Sequence, residues 1–155
     1  MKIDIGTSEE NRQAIADGLS RLLADTYSLY MKTHGFHWNV TGPQFHSLHT
    51  LFMEHYNEMA LAVDEIAERI RALGMFAPAS YSQFAKLSTV KEETGAPSAE
   101  EMLKQLVADH ETIVRTAREI LPVAQEATDE ATVGLVVDRM TLHEKTAWML
   151  RAMLG

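Results

Sequence analysis

Cysteine is absent from the 155 residues. Its absence excludes a disulfide scaffold, a thiolate zinc site and a cysteine nucleophile. Positive charge is also scarce: 14 Lys and Arg stand against 22 Asp and Glu, a formal net charge of −8. Tight nonspecific binding to nucleic acid needs clustered Lys and Arg, so this balance argues against it. An acidic surface instead attracts cations. No apolar run reaches the roughly 18 residues needed to cross a membrane. The segment Met1 to Asn11 is polar and of mixed charge, with no signal-peptide hydrophobic region, so a cytoplasmic location is expected. Hydrophobic residues make up 46% of the chain. The length suits about one domain, expected to span 1–155 with residues 1–7 as a short tail.

Eight glycines and four prolines punctuate the chain into four long helical stretches. The first is predicted from about Ser8 to Thr33, with Ile15, Leu19, Leu22, Leu23, Leu29 and Tyr30 at helical spacing. Thr7 with Glu10 fits a capping box better than Ser8 with Asn11, and Gly35 is suited to end the helix. The second begins near Pro43 and runs to about Leu73, with Gly74 as its cap. Pro78, Gly95 and Pro97 bound a long connection in which Tyr81–Leu87 forms a short helix. The third starts on the capping box Ser98/Glu101 and runs to about Ala127, kinked or tightened at Pro122. The fourth covers about Asp129 to Leu154. This pattern predicts an all-α four-helix bundle with one crossover and a short extra helix in the connection between the second and third helices.

Five of the seven histidines fall between His34 and His55. His34, His37, His46 and His49 form one metal-capable group. Asp64 and Glu68, four residues apart and so on one helical face, form another. Imidazole and carboxylate together suit Fe, Mn or Zn. Each member also has a plain structural reading. His34 can cap carbonyls at a helix end, and His46 can be solvated. His55, among Glu54, Asn57 and Glu58, reads as exposed, and Glu65 with Arg69 as an ordinary i,i+4 pair. His49 and Asp64 lie about 22 Å apart along one helix, so they cannot share a metal within one chain. The single-chain Glu-x-x-His di-iron motif is missing. Either each group acts alone or a second copy completes the site. If two copies of the helix pack antiparallel with the axis between Tyr56 and Asn57, His49 faces Asp64 of the partner subunit, and two identical sites result. Phe45, Leu48, Phe52, Tyr56 and Met59 would supply the apolar contact. Trp38 would pack over the site as a local electron donor, or serve as a core or interface aromatic.

The run His37-Trp38-Asn39-Val40, with Gly42, Phe45 and His49, then Asp64 and Ala67-Glu68-Arg69, resembles the Dps family of ferritin-like mini-ferritins. The likeness covers nearly the whole chain, including Trp148 in the last helix. It implies a homo-dodecamer built from two-fold dimers. Its ferroxidase sites would take His37 and His49 from one subunit and Asp64 and Glu68 from its partner, with Trp38 alongside. Fe(II) would be oxidised, preferably with hydrogen peroxide, and Fe(III) mineral stored inside, protecting the cell from oxidative damage. It also implies acidic three-fold pores, for which Glu126, Asp129 and Glu130 are the candidates; solvated acids at a helix N-terminus are the plain alternative.

Two features depart from the family pattern. Where many members carry a fifth acidic ligand, this chain has Met53, a soft donor for hard iron. Residues 1–12 carry Lys2 and Arg12 against Asp4, Glu9 and Glu10, unlike the basic tails of members that compact DNA. Direct DNA binding is therefore not expected, although nucleoid association remains an alternative role. A zinc- or manganese-handling cage is another, since the same donors accept those ions.

Overall fold

The computed structural model describes residues 1–155. It contains helices only: α1 (Glu9–Asn39), α2 (Phe45–Ala72), α3 (Tyr81–Leu87), α4 (Ala99–Glu126) and α5 (Glu130–Ala152). The short turn at 40–44 folds α2 back on α1, and the turn at 127–129 folds α5 back on α4. Helix α1 also packs on α4, and α3 lies against α1. The result is a four-helix bundle, with α3 inside the long crossover. No helix is long and apolar enough to cross a membrane.

Helix α1 does not stop at Gly35. It continues to Asn39 and closes with the Val40 N–H donating to Phe36 O. Phe36 and Val40 are almost wholly buried in the core. Burying a large apolar side chain yields about 1.5–3 kcal/mol, which outweighs the roughly 1 kcal/mol cost of glycine inside a helix. The extension carries His37 into helical geometry. At the other end, Ser8 is the N-cap, with its hydroxyl accepting from Asn11 N–H at 3.1 Å, rather than Thr7. Arg12 then ties this end to α2, donating to the carbonyl oxygens of Leu73 and Thr7. Pro43 precedes α2, which starts at Phe45 after Gly42 turns the chain at φ +109°. Gly74 ends α2 at φ +90°, and Pro122 is accommodated inside α4.

The core runs the length of the bundle, from Ile70, Leu73 and Ile15 through Leu19, Leu22 and Ile66 to Phe52 and Leu48. Leu48, Phe52 and Met59 are fully buried within one chain. They belong to the monomer core and cannot form the inter-chain contact expected of them. Helical periodicity alone does not separate the face that packs within a subunit from one that packs between subunits.

Asp25 anchors the crossover. Its buried carboxylate accepts from Ser88 Oγ, Thr89 Oγ1, Thr116 Oγ1 and the N–H groups of Thr89 and Val90. This one side chain holds the exit of α3 against both α1 and α4.

A polar chain spans α2, α4 and α5. Glu58 pairs with Arg139, Arg139 Nη2 donates to His143 Nε2 at 2.9 Å, and His143 Nδ1 lies 2.8 Å from His110 Nδ1. A guanidinium can only donate. His143 therefore accepts at Nε2 and donates from Nδ1–H, and His110 keeps its own proton on Nε2. Burial pushes the His110 pKa down to about 3, aided by His55 and Arg139. Burial likewise holds His143 well below the ordinary value. His55 is half-buried rather than exposed, and burial lowers its pKa too, against the opposing pull of Glu54 and Glu58.

Below an unfolded-state pKa of 6.5, the unfolded chain gains protons on His110 and His143 while the folded chain does not. Their contribution is complete above that pH and is lost as pH falls below it. Thermal unfolding of His110→Gln should therefore show a shallower loss of Tm than the wild type as pH falls below 6.5. Parallel curves would contradict the assignment.

Candidate metal centre

The turn at 40–44 sets the last turn of α1 against the first turns of α2. His37 and His49 meet there, with ring centroids 3.7 Å apart and planes 14° from parallel. Each ring bonds to the other residue's backbone: His37 Nδ1 donates to His49 O at 2.6 Å, and His49 Nδ1 donates to His37 O at 2.7 Å. A carbonyl only accepts, so each imidazole carries a proton on Nδ1, and the neutral ring keeps its lone pair on Nε2. That is the tautomer a metal ligand needs, fixed by its backbone partners. The arrangement also satisfies the His37 carbonyl, one of those left open at a helix C-terminus.

Aromatic side chains surround the pair. Phe45 stacks on His49 at 5.0 Å, and Tyr56 stands edge-on to His37 at 5.2 Å. His34 does not cap the helix end. It lies inside α1 with its ring against Trp38 at 4.1 Å and Tyr56 at 4.2 Å, and burial, with His37 beside it, lowers its pKa. Trp38 is 63% exposed. His46 is exposed.

Asp64 and Glu68 are exposed on α2, and no group of three or more His, Asp or Glu within the chain could hold a metal. The two imidazoles and the two carboxylates thus stay apart in one subunit, in keeping with their spacing of about 22 Å along the helix. They do share a side of the helix. Phe45, His49, Met53, Ala60, Asp64 and Glu68 follow one slowly drifting stripe at spacings of four and seven, beside the buried stripe of Leu48, Phe52, Met59, Ala62, Ile66 and Ile70.

The acidic residues near α5 divide. Glu126 and Glu130 are exposed. Asp129 is 5% exposed, accepts from Thr132 N–H and Oγ1, and pairs with Arg69 at 2.8 Å. Burial alone would raise its pKa, but the Thr132 and Arg69 bonds outweigh burial and hold it below the usual carboxylate value. Arg69 is thus committed to Asp129 rather than to Glu65. Tyr56, expected in the inter-chain contact, packs on His34 and His37 of its own chain. The buried pair His110 and His143 had no sequence signal, being isolated histidines 33 residues apart on helices otherwise patterned for a core.

A ferritin-like domain family model matches residues 16–155. The DNA protection during starvation protein 2 of Bacillus anthracis is 40% identical over 145 residues, covering 94% of this chain and 99% of that protein. The chain belongs to the Dps family. The crystal structure of the Dps protein from Vibrio cholerae O1, described as a member of a broad superfamily of ferritin-like diiron-carboxylate proteins, superposes with a TM-score of 0.93 at 34% identity, covering 99% of this chain and 100% of that one. An uncharacterised low temperature-induced protein of Nostoc sp. is 42% identical over 155 residues, covering 99% of this chain and 87% of that protein. The all-α ferritin-like bundle expected from the sequence is thus the Dps fold, and the family gives the chain a mini-ferritin character.

The reciprocal bonds predict a specific protonation pattern. Solid-state ¹⁵N NMR of histidine-labelled, metal-free protein near neutral pH should show His37 and His49 as Nδ1–H tautomers. Nε2–H tautomers at either position would contradict the geometry.

Proposed function

We propose that the protein is a peroxide-consuming ferroxidase and iron store. His37 and His49 of one subunit and Asp64 and Glu68 of its two-fold partner hold Fe(II), with Trp38 covering the site. Oxidation of two Fe(II) ions delivers two electrons to hydrogen peroxide, which takes up two protons and leaves as two waters. The Fe(III) product is stored as mineral inside a hollow homo-dodecamer, and the paired consumption of peroxide and ferrous iron protects the cell.

The observation that carries this reading is the tautomer-locked imidazole pair, whose Nε2 atoms lack acidic partners in their own chain while Asp64 and Glu68 lie exposed on the same side of the helix. An antiparallel pairing of two α2 helices supplies each half-site with what it lacks. Phe45, Met53 and Leu61, respectively 44%, 38% and 76% exposed, are the apolar residues such a pairing would cover, in place of the core residues Leu48, Phe52 and Met59. Two nitrogens with carboxylates suit iron, and they also accept zinc or manganese; the diiron-carboxylate description of the Vibrio relative favours iron. Glu126 and Glu130 are the carboxylates available to draw Fe(II) toward a pore, since Asp129 is engaged as a cap. DNA binding is the weaker role, as the N-terminal segment is poor in basic residues and Ile3 packs close to Gly74.

Anaerobic Fe(II) mixed with peroxide should be oxidised rapidly by the wild type and retained as soluble mineral. The double variant His37→Ala/His49→Ala should lose the fast phase, by about a hundredfold or more given the cost of removing metal-site groups, at unchanged assembly mass. Wild-type kinetics in that variant would overturn the site assignment.

A further inference from the structure

We propose that Met53 is a modification site: peroxide converts its thioether to the sulfoxide, and the new oxygen becomes an iron ligand. This rests on the ferroxidase reading above. Met53 follows His49 by one turn of α2, which puts their Cβ atoms about 5–6 Å apart. A long side chain on a helix points back toward the N-terminus, over the residue four positions earlier. Met53 therefore reaches toward the His49 ring. Its neighbours Leu48, Phe52 and Met59 are sealed in the core. Met53 is 38% exposed, so a molecule the size of peroxide can reach it. Pairing of two α2 helices encloses its sulfur together with the iron ligands. The peroxide it meets is then the peroxide delivered to the iron.

The donor set gives this change its purpose. Two imidazoles and two carboxylates are few donors for two iron ions, so one ion is held firmly and the other loosely. A thioether adds little, being soft where ferrous iron is hard. A sulfoxide oxygen is strongly polarised, like the carbonyl oxygens that suit hard ions. Oxidation thus turns the poorest donor at the site into a useful one without moving the chain. The step balances with peroxide alone. The thioether sulfur attacks one peroxide oxygen and gives up two electrons. An S–O bond forms and the O–O bond breaks. The sulfur-bound OH passes its proton to the departing hydroxide, which leaves as water. The first peroxide molecules complete the site, and later ones oxidise iron there faster. Sulfoxide reductases return methionine sulfoxide to the thioether, so the change is reversible.

The test uses the assembled protein, first treated with methionine sulfoxide reductase so that Met53 starts as the thioether. It is loaded anaerobically with Fe(II) and given hydrogen peroxide in small repeated additions. Iron oxidation is followed by absorbance, and methionine oxidation by peptide mass spectrometry. Met53 should gain one oxygen atom in the first turnovers. Met149 and Met153 of α5, 41% and 37% exposed, should stay mostly unmodified. Iron oxidation should speed up as the sulfoxide accumulates. In anaerobic Fe(II) titrations the weaker equivalent should then bind about tenfold more tightly, the scale on which groups supporting a metal site act. Met53→Leu should show neither the acceleration nor the tightening. Met53→Asp, with hard oxygens from the start, should be fast at once. In His37→Ala/His49→Ala, Met53 should oxidise no faster than Met149. Rapid iron oxidation with Met53 still a thioether overturns the Met53 assignment alone. So does a sulfoxide that changes neither rate nor affinity, or undiminished Met53 oxidation in the double histidine variant. A wild type that leaves Fe(II) unoxidised overturns the ferroxidase reading and the Met53 assignment with it.

Discussion

The two hydrogen bonds exchanged between His37 and His49 are the constraint on which the site depends. Each ring is fixed by the other residue's carbonyl, so neither can rotate or change tautomer without breaking the partner's support. The bonds exist only because α1 runs on past Gly35 to Asn39 and the turn at Gly42 returns the chain at once. The core residues Phe36 and Val40 hold that extension in place. Packing of the bundle end therefore sets the tautomer of two imidazoles, and the tautomer sets which nitrogen can bind a metal.

The rest of the bundle keeps this end in register. Arg12 ties the start of α1 to the end of α2, Asp25 clamps the crossover on α1 and α4, and Asp129 with Arg69 joins α2 to the start of α5. The three clamps are charged side chains at or near full burial, each satisfied by several partners, as buried charges require. Near the middle, Glu58, Arg139, His143 and His110 span the bundle. Long polar side chains there do the work that apolar ones do elsewhere, and the folded state depends on its histidines staying neutral.

Much of this was legible in the chain itself. Four helical periods, the short helix over Tyr81–Leu87 and the Ser98 cap all emerge where spacing predicts them. Helix ends were harder, because Gly35 looks like a stop and only tertiary burial of Phe36 and Val40 overrides it. The reading of α2 separated His49 from Asp64 by distance alone, a consequence of helix rise that needs no fold. It assigned Leu48, Phe52 and Met59 to the wrong partner, because periodicity reveals that a face is buried and not what buries it. Asp129 and His55 were misread as solvent-facing for a related reason: their partners, Arg69 on one side and the bundle interior on the other, are remote in sequence.

In the proposed ferroxidase two subunits share each site, imidazoles from one and carboxylates from the other. Co-assembly of two inactive variants tests it most directly. One subunit carries His37→Ala/His49→Ala and the other Asp64→Ala/Glu68→Ala, and peroxide-driven Fe(II) oxidation is measured on purified heterodimer-containing particles. A shared site places both lesions of a heterodimer in one site and leaves the second intact, so activity absent from each variant alone should return. Particles that contain heterodimers yet stay as inactive as their parents would contradict the account.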